Sequence, residues 1–204
     1  MTTFLLVRHA AHDWLGRGIP GRMPISINAQ GWLQAESLVR RLEGRDIAAI
    51  YSSPQPRAQQ TVAPLAGRRR LQIRLLEGFD EIDFGQWTGR TFDQLQVEDA
   101  QRWHAWCHHR GTAQPPGGEP FIQVRDRAMR ALEQLRTRYP AGTVLIASHG
   151  DVIKAVLATA LHLSLDDLER FEVAPASISI LEAGEGWQKV RLLNCEPLAP
   201  AAFA

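Results

Sequence analysis

Three short apolar runs along the chain have the length and composition of buried β-strands. They cover residues 4–7, 47–51 and 143–147. Each run is followed by a polar turn and then by a segment with helical spacing of apolar positions, which is the alternation typical of parallel βαβ units. The pattern therefore predicts an α/β fold, a three-layer α/β/α sandwich whose central sheet is mostly parallel and covered on both faces.

Local signals mark where the helices and the last strands begin. Asn28 is a good capping residue ahead of a stripe of apolar positions, and Pro56 is a favoured first residue of a helix. A nearly all-apolar helical segment follows His149. Residues 177–182 and 188–193 read as two strands joined by a short glycine-containing turn, which predicts a closing hairpin.

Two stretches interrupt this alternation and are rich in turn residues. Residues 77–90 carry three glycines, and residues 110–120 carry a run of prolines and glycines, so we expect both to be loops over a pocket. We expect one domain over residues 1–204, with a lid-like segment around residues 91–120 and a loose tail at residues 196–204.

Composition limits the classes of partner. The chain has 204 residues, 45% of them hydrophobic, and a net charge of +1, so no overall field would draw it to nucleic acid or to an anionic membrane. The apolar run near residue 4 is too short to span a bilayer. Cys107 and Cys195 lie far apart in the sequence, which argues against a disulfide framework and favours a cytoplasmic location.

The residues at the strand ends have the chemistry of a phosphoryl site. Arg8 and Arg57 each follow a predicted strand, and guanidinium groups can bind two phosphate oxygens at once. His9, beside this clamp, is our candidate nucleophile, provided that an acceptor holds its other ring nitrogen. His149 would donate to the oxygens that gain charge in the transition state. Carboxyl ends of parallel strands meet at one edge of a sheet, so we expect one shared pocket.

These residues belong to motifs that resemble the histidine phosphatase superfamily, also called the phosphoglycerate mutase-like fold. The resemblance covers nearly the whole chain, and the matching segments occur in the same order as in the family. The matching segments are Leu6-Val7-Arg8-His9, Tyr51-Ser52-Ser53-Pro54 with Arg57-Ala58 and Gln60-Thr61, residues 81–87, residues 116–119, and Ser148-His149-Gly150.

The resemblance adds a general acid to the site. Spacing alone leaves four carboxylates open, because Glu77, Asp80, Glu81 and Asp83 lie in one segment. The resemblance selects Glu81, which would protonate the leaving oxygen while His9 takes the phosphoryl group, and would then activate water against phosphohistidine.

The resemblance also suggests contacts with the rest of the substrate. Gly21 and Arg22 match the point where the first loop returns to the pocket, so both are candidate substrate-binding residues. Trp103 is a third candidate, in the lid-like segment, with packing within that segment as the alternative. Ala10 and Ala11 depart from the family, since many relatives have glycine and glutamate there.

The function expected from these residues is a metal-independent phosphatase that hydrolyses a small phosphorylated metabolite, a phosphomonoester, through phosphohistidine. The alternative enzyme is a phosphoglycerate mutase, which needs a closed, cation-rich lid; residues 91–120 carry only Arg102 and Arg110 as fixed cations. A non-catalytic phosphate-binding protein and a metal-dependent hydrolase, with a metal at residues 103–109, are weaker alternatives. We expect no cofactor, no metal, no nucleic-acid or membrane partner, and allow for a homodimer.

Overall fold

The computed structural model describes residues 1–197. Its strands are β1 (Thr2–Arg8), β2 (Gly18–Ile19), β3 (Ala49–Ser52), β4 (Ile73–Leu75), β5 (Arg90–Thr91), β6 (Thr143–Ser148), β7 (Ile178–Gly184) and β8 (Trp187–Cys195). Its α-helices are α1 (Ala29–Arg41), α2 (Pro56–Arg69), α3 (Phe92–Glu98), α4 (Ala100–His108), α5 (Phe121–Arg138) and α6 (Gly150–Ala160). Short 3₁₀ helices cover Glu77–Phe79, Gly85–Trp87 and Leu165–Arg170.

Six of the described strands form one sheet in the order β4-β3-β6-β1-β7-β8. The pairs β3–β4, β3–β6 and β1–β6 are parallel, whereas β7 pairs antiparallel with both β1 and β8. The register sets Arg8 beside Ser148 and Ser52 beside Ala147. The carboxyl ends of β1, β3 and β6 are therefore neighbours at one edge of the sheet.

Alternate side chains of the central strands enter two separate cores. Leu5 and Val7 pack with the inner faces of α1 and α2, whereas Phe4 and Leu6 pack with α5 and α6. All four are fully buried, as expected for a strand covered on both sides. The predicted three-layer α/β/α sandwich with a mostly parallel sheet is confirmed.

Several local predictions hold at the level of single residues. The side chain of Asn28 accepts a hydrogen bond from the backbone N–H of Gly31 and caps α1. Pro56 is the first residue of α2, and His149 immediately precedes α6. These signals act between residues that are close in sequence, so tertiary contacts seldom change their effect.

Other boundaries differ from the sequence pattern. The third run forms a strand at Ala49–Ser52 rather than at residues 47–51, and the closing hairpin turns over Glu185 and Gly186 because Ala183 and Gly184 continue β7. The pattern missed β2, β4 and β5, which have two or three residues each. Strands this short have no periodicity to detect.

The two loops rich in turn residues pack against each other. Gly85 has a φ of +50°, and a Cβ added there would lie 2.4 Å from the carbonyl oxygen of Pro116, so only glycine allows this approach. The lid-like segment is not a loop throughout, because α3 and α4 fill most of residues 92–108. Of the expected tail, residues 196–197 have no regular secondary structure, and residues 198–204 lie outside the described residues.

No helix among the described residues is both long and apolar enough to cross a membrane.

Candidate active site

His9 lies just beyond β1 and is almost completely buried. Its Nδ1 is 2.9 Å from the carbonyl oxygen of Ala10. Because a carbonyl can only accept, Nδ1 carries the proton in the neutral ring and Nε2 keeps its lone pair. Burial lowers the pKa of His9 well below 6.5, and the neighbouring His149 and arginines lower it further. The ring is therefore neutral at pH 7 and holds a nucleophilic nitrogen.

Arg57 is anchored in the first turn of α2 and is fully buried. It donates to the carbonyl oxygens of Gly21, at 2.7 Å, and Met23, at 3.1 Å. The hydroxyl of Thr61 joins α2 to the His9 loop, because it donates to the carbonyl of Arg57 and accepts from the N–H of Ala10, each at 2.7 Å. These contacts hold the guanidinium in a single orientation beside the loop that carries His9.

Arg8 lies at the end of β1, where the start of α6 leaves room for its side chain. A Cβ added to Gly150 would lie 3.2 Å from Arg8 Nε, which is closer than most such contacts. Arg8 Nη1 donates to the carbonyl of Val173 at 2.6 Å. The backbone carbonyl therefore holds one end of the guanidinium and leaves the rest of it facing the cavity that His9 lines.

Two buried guanidinium nitrogens around His9 have no hydrogen-bond partner within residues 1–197: Arg8 Nε and Arg57 Nε. Buried polar groups are normally paired, so a pair of orphaned N–H groups needs an explanation. Both belong to cations. A bound tetrahedral oxyanion would satisfy this set, because it offers several oxygens and a compensating charge.

His149 is fully buried at the end of β6, and its ring centroid lies 5.3 Å from that of His9. Its Nε2 is 2.8 Å from Ser53 Oγ, which also lies 3.0 Å from Asp80 Oδ1. Ser53 therefore joins the ring of His149 to the carboxyl group of Asp80. Ser53 and Asp80 thus orient the ring so that Nδ1 faces Glu81.

Glu81 completes the cluster at the bottom of the cavity. One oxygen, Oε2, lies 3.1 Å from His149 Nδ1 and 3.3 Å from Arg57 Nη2, and the other accepts from the N–H of Ile82. One carboxylate oxygen of Glu81 lies within 4.8 Å of a ring nitrogen of His9 and of one of His149. Burial raises the pKa of Glu81, but His149 and Arg57 outweigh burial and lower that pKa to about 2.

The lowered pKa of Glu81 predicts a specific loss of stability in acid. Ionised Glu81 stabilises the fold above its ordinary pKa of 4.5, and this contribution disappears as the pH falls toward 2. Between about pH 6 and pH 3, wild type should therefore lose about 2 kcal/mol more unfolding free energy than Glu81→Gln. Urea denaturation at both pH values measures this difference. Glu77→Gln removes an exposed carboxylate and should behave as wild type; equal losses in all three proteins would contradict the prediction.

Among the residues described, one group is compact enough to hold a metal ion, and it consists of His9, Glu81 and His149. A cation there would lie beside the buried guanidinium groups of Arg8 and Arg57, which repel it and favour an anion instead. The histidines and cysteine of residues 103–109 do not form a comparable group. The charges around His9 thus favour an anion over a metal ion, and the absence of a metal stays a prediction.

The candidate residues for substrate contacts separate into two places. Trp103 lines the cavity, together with residues of the first loop and of α6. Arg22 is not among the lining residues; it lies near Asp80 and Glu119 and donates to the carbonyl of Glu81 at 2.9 Å. Gly21 is also outside the lining, and its carbonyl accepts from Arg57. Arg57 and His149 are likewise absent from the lining, but both contact Glu81, which belongs to it. In this structure Gly21 and Arg22 therefore hold other groups of the site in place.

Sequence patterns missed several groups that line or support the site. Ser53 and Asp80 orient His149, although the sequence marks them only as a turn residue and as one of several carboxylates. His12 lines the cavity with its ring centroid 4.9 Å from that of His9. Lys154 is a buried lysine in the largely apolar helix α6, and a lysine among apolar residues is a sequence signal that could have identified it.

The family comparison agrees with this geometry. The profile of the histidine phosphatase superfamily (branch 1) matches residues 4–196 of the chain. This match covers nearly all of the residues that the structure describes, including every member of the cluster around His9.

Individual relatives give the same result. The chain is 34% identical over 201 residues to the bifunctional protein Rv2228c of Mycobacterium tuberculosis, covering 95% of this chain and 54% of that protein. It is 28% identical over 196 residues to phosphoserine phosphatase 1 of Hydrogenobacter thermophilus, covering 95% and 92%. The structure of Bacillus stearothermophilus YhfR superposes with a TM-score of 0.91 at 30% identity, covering 96% and 98%. The chain spans about half the length of the first of these relatives.

Proposed function

Because the chain belongs to the histidine phosphatase superfamily, we propose that it is a phosphatase that hydrolyses a small phosphorylated metabolite, a phosphomonoester, without a metal. The observation that carries the proposal is the pair of buried, unpartnered guanidinium nitrogens of Arg8 and Arg57 beside the free Nε2 of neutral His9. These cations would bind and polarise the phosphoryl group that His9 attacks. The similarity to a phosphoserine phosphatase supports the same class of reaction.

In the first step, His9 Nε2 forms a bond to phosphorus while the bond from phosphorus to the ester oxygen breaks. The leaving oxygen takes a proton from Glu81, and the alcohol departs. Arg8 and Arg57 neutralise the equatorial oxygens, whose charge increases as the two apical bonds lengthen. The product of this step is phosphohistidine on His9, with Glu81 ionised.

In the second step, water attacks phosphorus from the side that the alcohol has left. Glu81 accepts the proton of that water, the bond between phosphorus and His9 Nε2 breaks, and inorganic phosphate forms. Because one carboxylate gives and then regains a single proton, each turnover restores the starting state of Glu81.

The lowered pKa of Glu81 determines how that proton arrives. In the phosphate-free site, His149 and Arg57 keep Glu81 ionised. A bound phosphate dianion would engage these donors and add its own negative charge nearby, and both effects raise the pKa of the carboxyl group. Substrate binding therefore favours the uptake of one proton from solvent by Glu81, and this proton is the one that the leaving oxygen receives.

The two cations of the lid-like segment are already paired, and this favours hydrolysis over phosphoryl transfer between the hydroxyls of phosphoglycerate. Arg110 pairs with Asp151 and Glu169, and Arg102 is exposed and pairs with Asp99. Neither is available to retain a second anionic group over the intermediate. A non-catalytic binding protein is less consistent with the site, since phosphate binding alone requires neither the neutral nucleophile nor the carboxylate beside it.

The proposal is tested by phosphate release from p-nitrophenyl phosphate in excess EDTA. We expect turnover that EDTA does not reduce and that vanadate inhibits, because vanadate mimics five-coordinate phosphorus. Loss of turnover in EDTA, with recovery on adding a divalent metal, would instead establish a metal-dependent hydrolase. Conversion of 3-phosphoglycerate to 2-phosphoglycerate without phosphate release would establish the mutase.

A cytoplasmic location, a single-domain organisation and a homodimeric state remain predictions. Cys107 and Cys195 are both free thiols in the structure, which is compatible with a reducing compartment.

A further inference from the structure

The cavity above His9 is much larger than a phosphate group. Its volume is about 960 Å³, near the upper end of the range for small-molecule sites. Arg8, His9 and Glu81 form its phosphate end. The remaining lining must contact the alcohol part of the substrate, and its chemistry therefore selects the substrate class.

One part of this lining is apolar and largely aromatic. Trp14, Leu15 and Ile19 come from the first loop and β2, and Phe92 and Trp103 come from α3 and α4. The rings of Phe92 and Trp103 stack with centroids 5.7 Å apart, and Trp103 packs edge-on against Trp87 at the same distance. Fixed, flat side chains of this kind favour a planar or apolar group in the ligand.

The other part of the lining is acidic and comes from α6 and the chain that follows it. It contains four carboxylates and, with Arg110 at the end of the lid-like segment, two cations. These residues are Asp151, Asp166, Glu169, Glu172, Lys154 and Arg110.

Both cations of this acidic part are already paired. Arg110 lies 2.7 Å from Asp151 and 3.0 Å from Glu169, and Lys154 lies within 4 Å of Glu169 and Glu172. Lys154 is buried, and Arg110 is covered by the ring of Trp106, so neither can turn easily toward a ligand. Four carboxylates against these two cations give the acidic part a formal charge of −2, and Arg8 at the phosphate end is a further cation near Asp151 and Glu172.

We propose that the preferred substrate is a phosphomonoester whose alcohol carries a flat apolar group, is neutral or cationic, and has no second anionic group. The inference rests on the proposed phosphatase function and extends it to the alcohol. A carboxylate or a second phosphate on the alcohol would approach the acidic part without a free cation to receive it. A cationic group would instead add a partner to carboxylates that are in excess.

A matched series of aryl phosphates tests the charge preference while leaving the reacting atoms unchanged. The substrates are phenyl phosphate, 4-(aminomethyl)phenyl phosphate and 4-carboxyphenyl phosphate, with kcat/KM measured for each at pH 7.5. We expect the cationic ester to exceed the anionic ester by about tenfold after correction for the leaving-group pKa, with the neutral ester between them. The apolar part predicts in addition that 2-naphthyl phosphate exceeds phenyl phosphate.

Two variants connect these preferences to the named residues. The double variant Glu169→Gln with Glu172→Gln should reduce or reverse the cation preference, whereas Asp167→Asn, a neighbour on the same 3₁₀ helix but outside the lining, should keep it. Trp14→Ala should reduce the naphthyl preference and leave the charge preference unchanged. Circular dichroism verifies that each variant is folded.

The outcomes separate this inference from the function on which it rests. Phosphate release with no charge preference, or with preference for the carboxylated ester, would overturn the inference and leave the phosphatase intact. Preferences that the double variant does not alter would overturn the assignment to the acidic part. Folded protein that hydrolyses none of the esters would overturn both.

Discussion

Replacing His9 by alanine should lower kcat by about 10⁴-fold or more while the protein stays folded. The ring supplies the nitrogen that bonds to phosphorus, and the other groups of the site can only stabilise charge around that bond. Turnover of p-nitrophenyl phosphate measures the loss. With labelled substrate and a rapid denaturing quench, wild type should also retain phosphate in an acid-labile, base-stable form, and His9→Ala should retain none.

His104→Ala is the matched control for this variant. His104 is an exposed histidine on α4 and does not line the cavity, so its removal should leave kcat within about twofold of wild type. A residual rate near wild type in folded His9→Ala, or label retained there in the acid-labile form, would remove His9 from its role as nucleophile.

Glu81→Gln should separate substrates by the basicity of their leaving groups. An alkoxide needs a proton as it departs, so hydrolysis of an alkyl phosphate should slow by about 10²- to 10³-fold. The p-nitrophenolate ion leaves without a proton, so its release should slow by less than about tenfold. A plot of kcat/KM against leaving-group pKa should therefore be much steeper for Glu81→Gln than for wild type.

Glu77→Gln provides the comparison, because Glu77 is a carboxylate of the same segment and is exposed. It should reproduce the wild-type dependence on the leaving group. If Glu81→Gln slows every ester by the same factor, Glu81 acts only in holding Arg57 and His149, and another group is the acid.

The reacting side chains on the strands could be predicted from sequence because their placement follows from the sheet alone. Once the apolar runs are strands and their connections are helical, the parallel register brings Arg8 and His149 to the same edge. The capping signal at Asn28 and the proline at the start of α2 act over three or four residues. Such features survive in almost any tertiary environment.

Glu81 could not be chosen in this way, since its position depends on contacts that are distant in sequence. Its carbonyl accepts from Arg22 and Arg127, and its segment is held where Gly85 meets the loop at residue 116. Only the resemblance distinguished it from the neighbouring carboxylates. The acidic part of the cavity was equally hidden, because it forms only when α6, the following 3₁₀ helix and the end of the lid-like segment converge.

The reacting groups and the rest of the cavity lining come from different elements of the chain, which affects how this protein could acquire new substrates. The groups that would act on phosphorus come from β1, α2, β6 and the segment at residue 81, and the hydroxyl of Thr61 fastens two of these together. The groups around the alcohol come from the first loop, β2, α3, α4, α6 and the chain after α6. Mutations in the second set can therefore accumulate under selection for a different alcohol while the first set keeps its geometry. Substrate choice and bond cleavage are in this sense separately evolvable, and directed evolution toward another phosphate ester should start at α3 and α4.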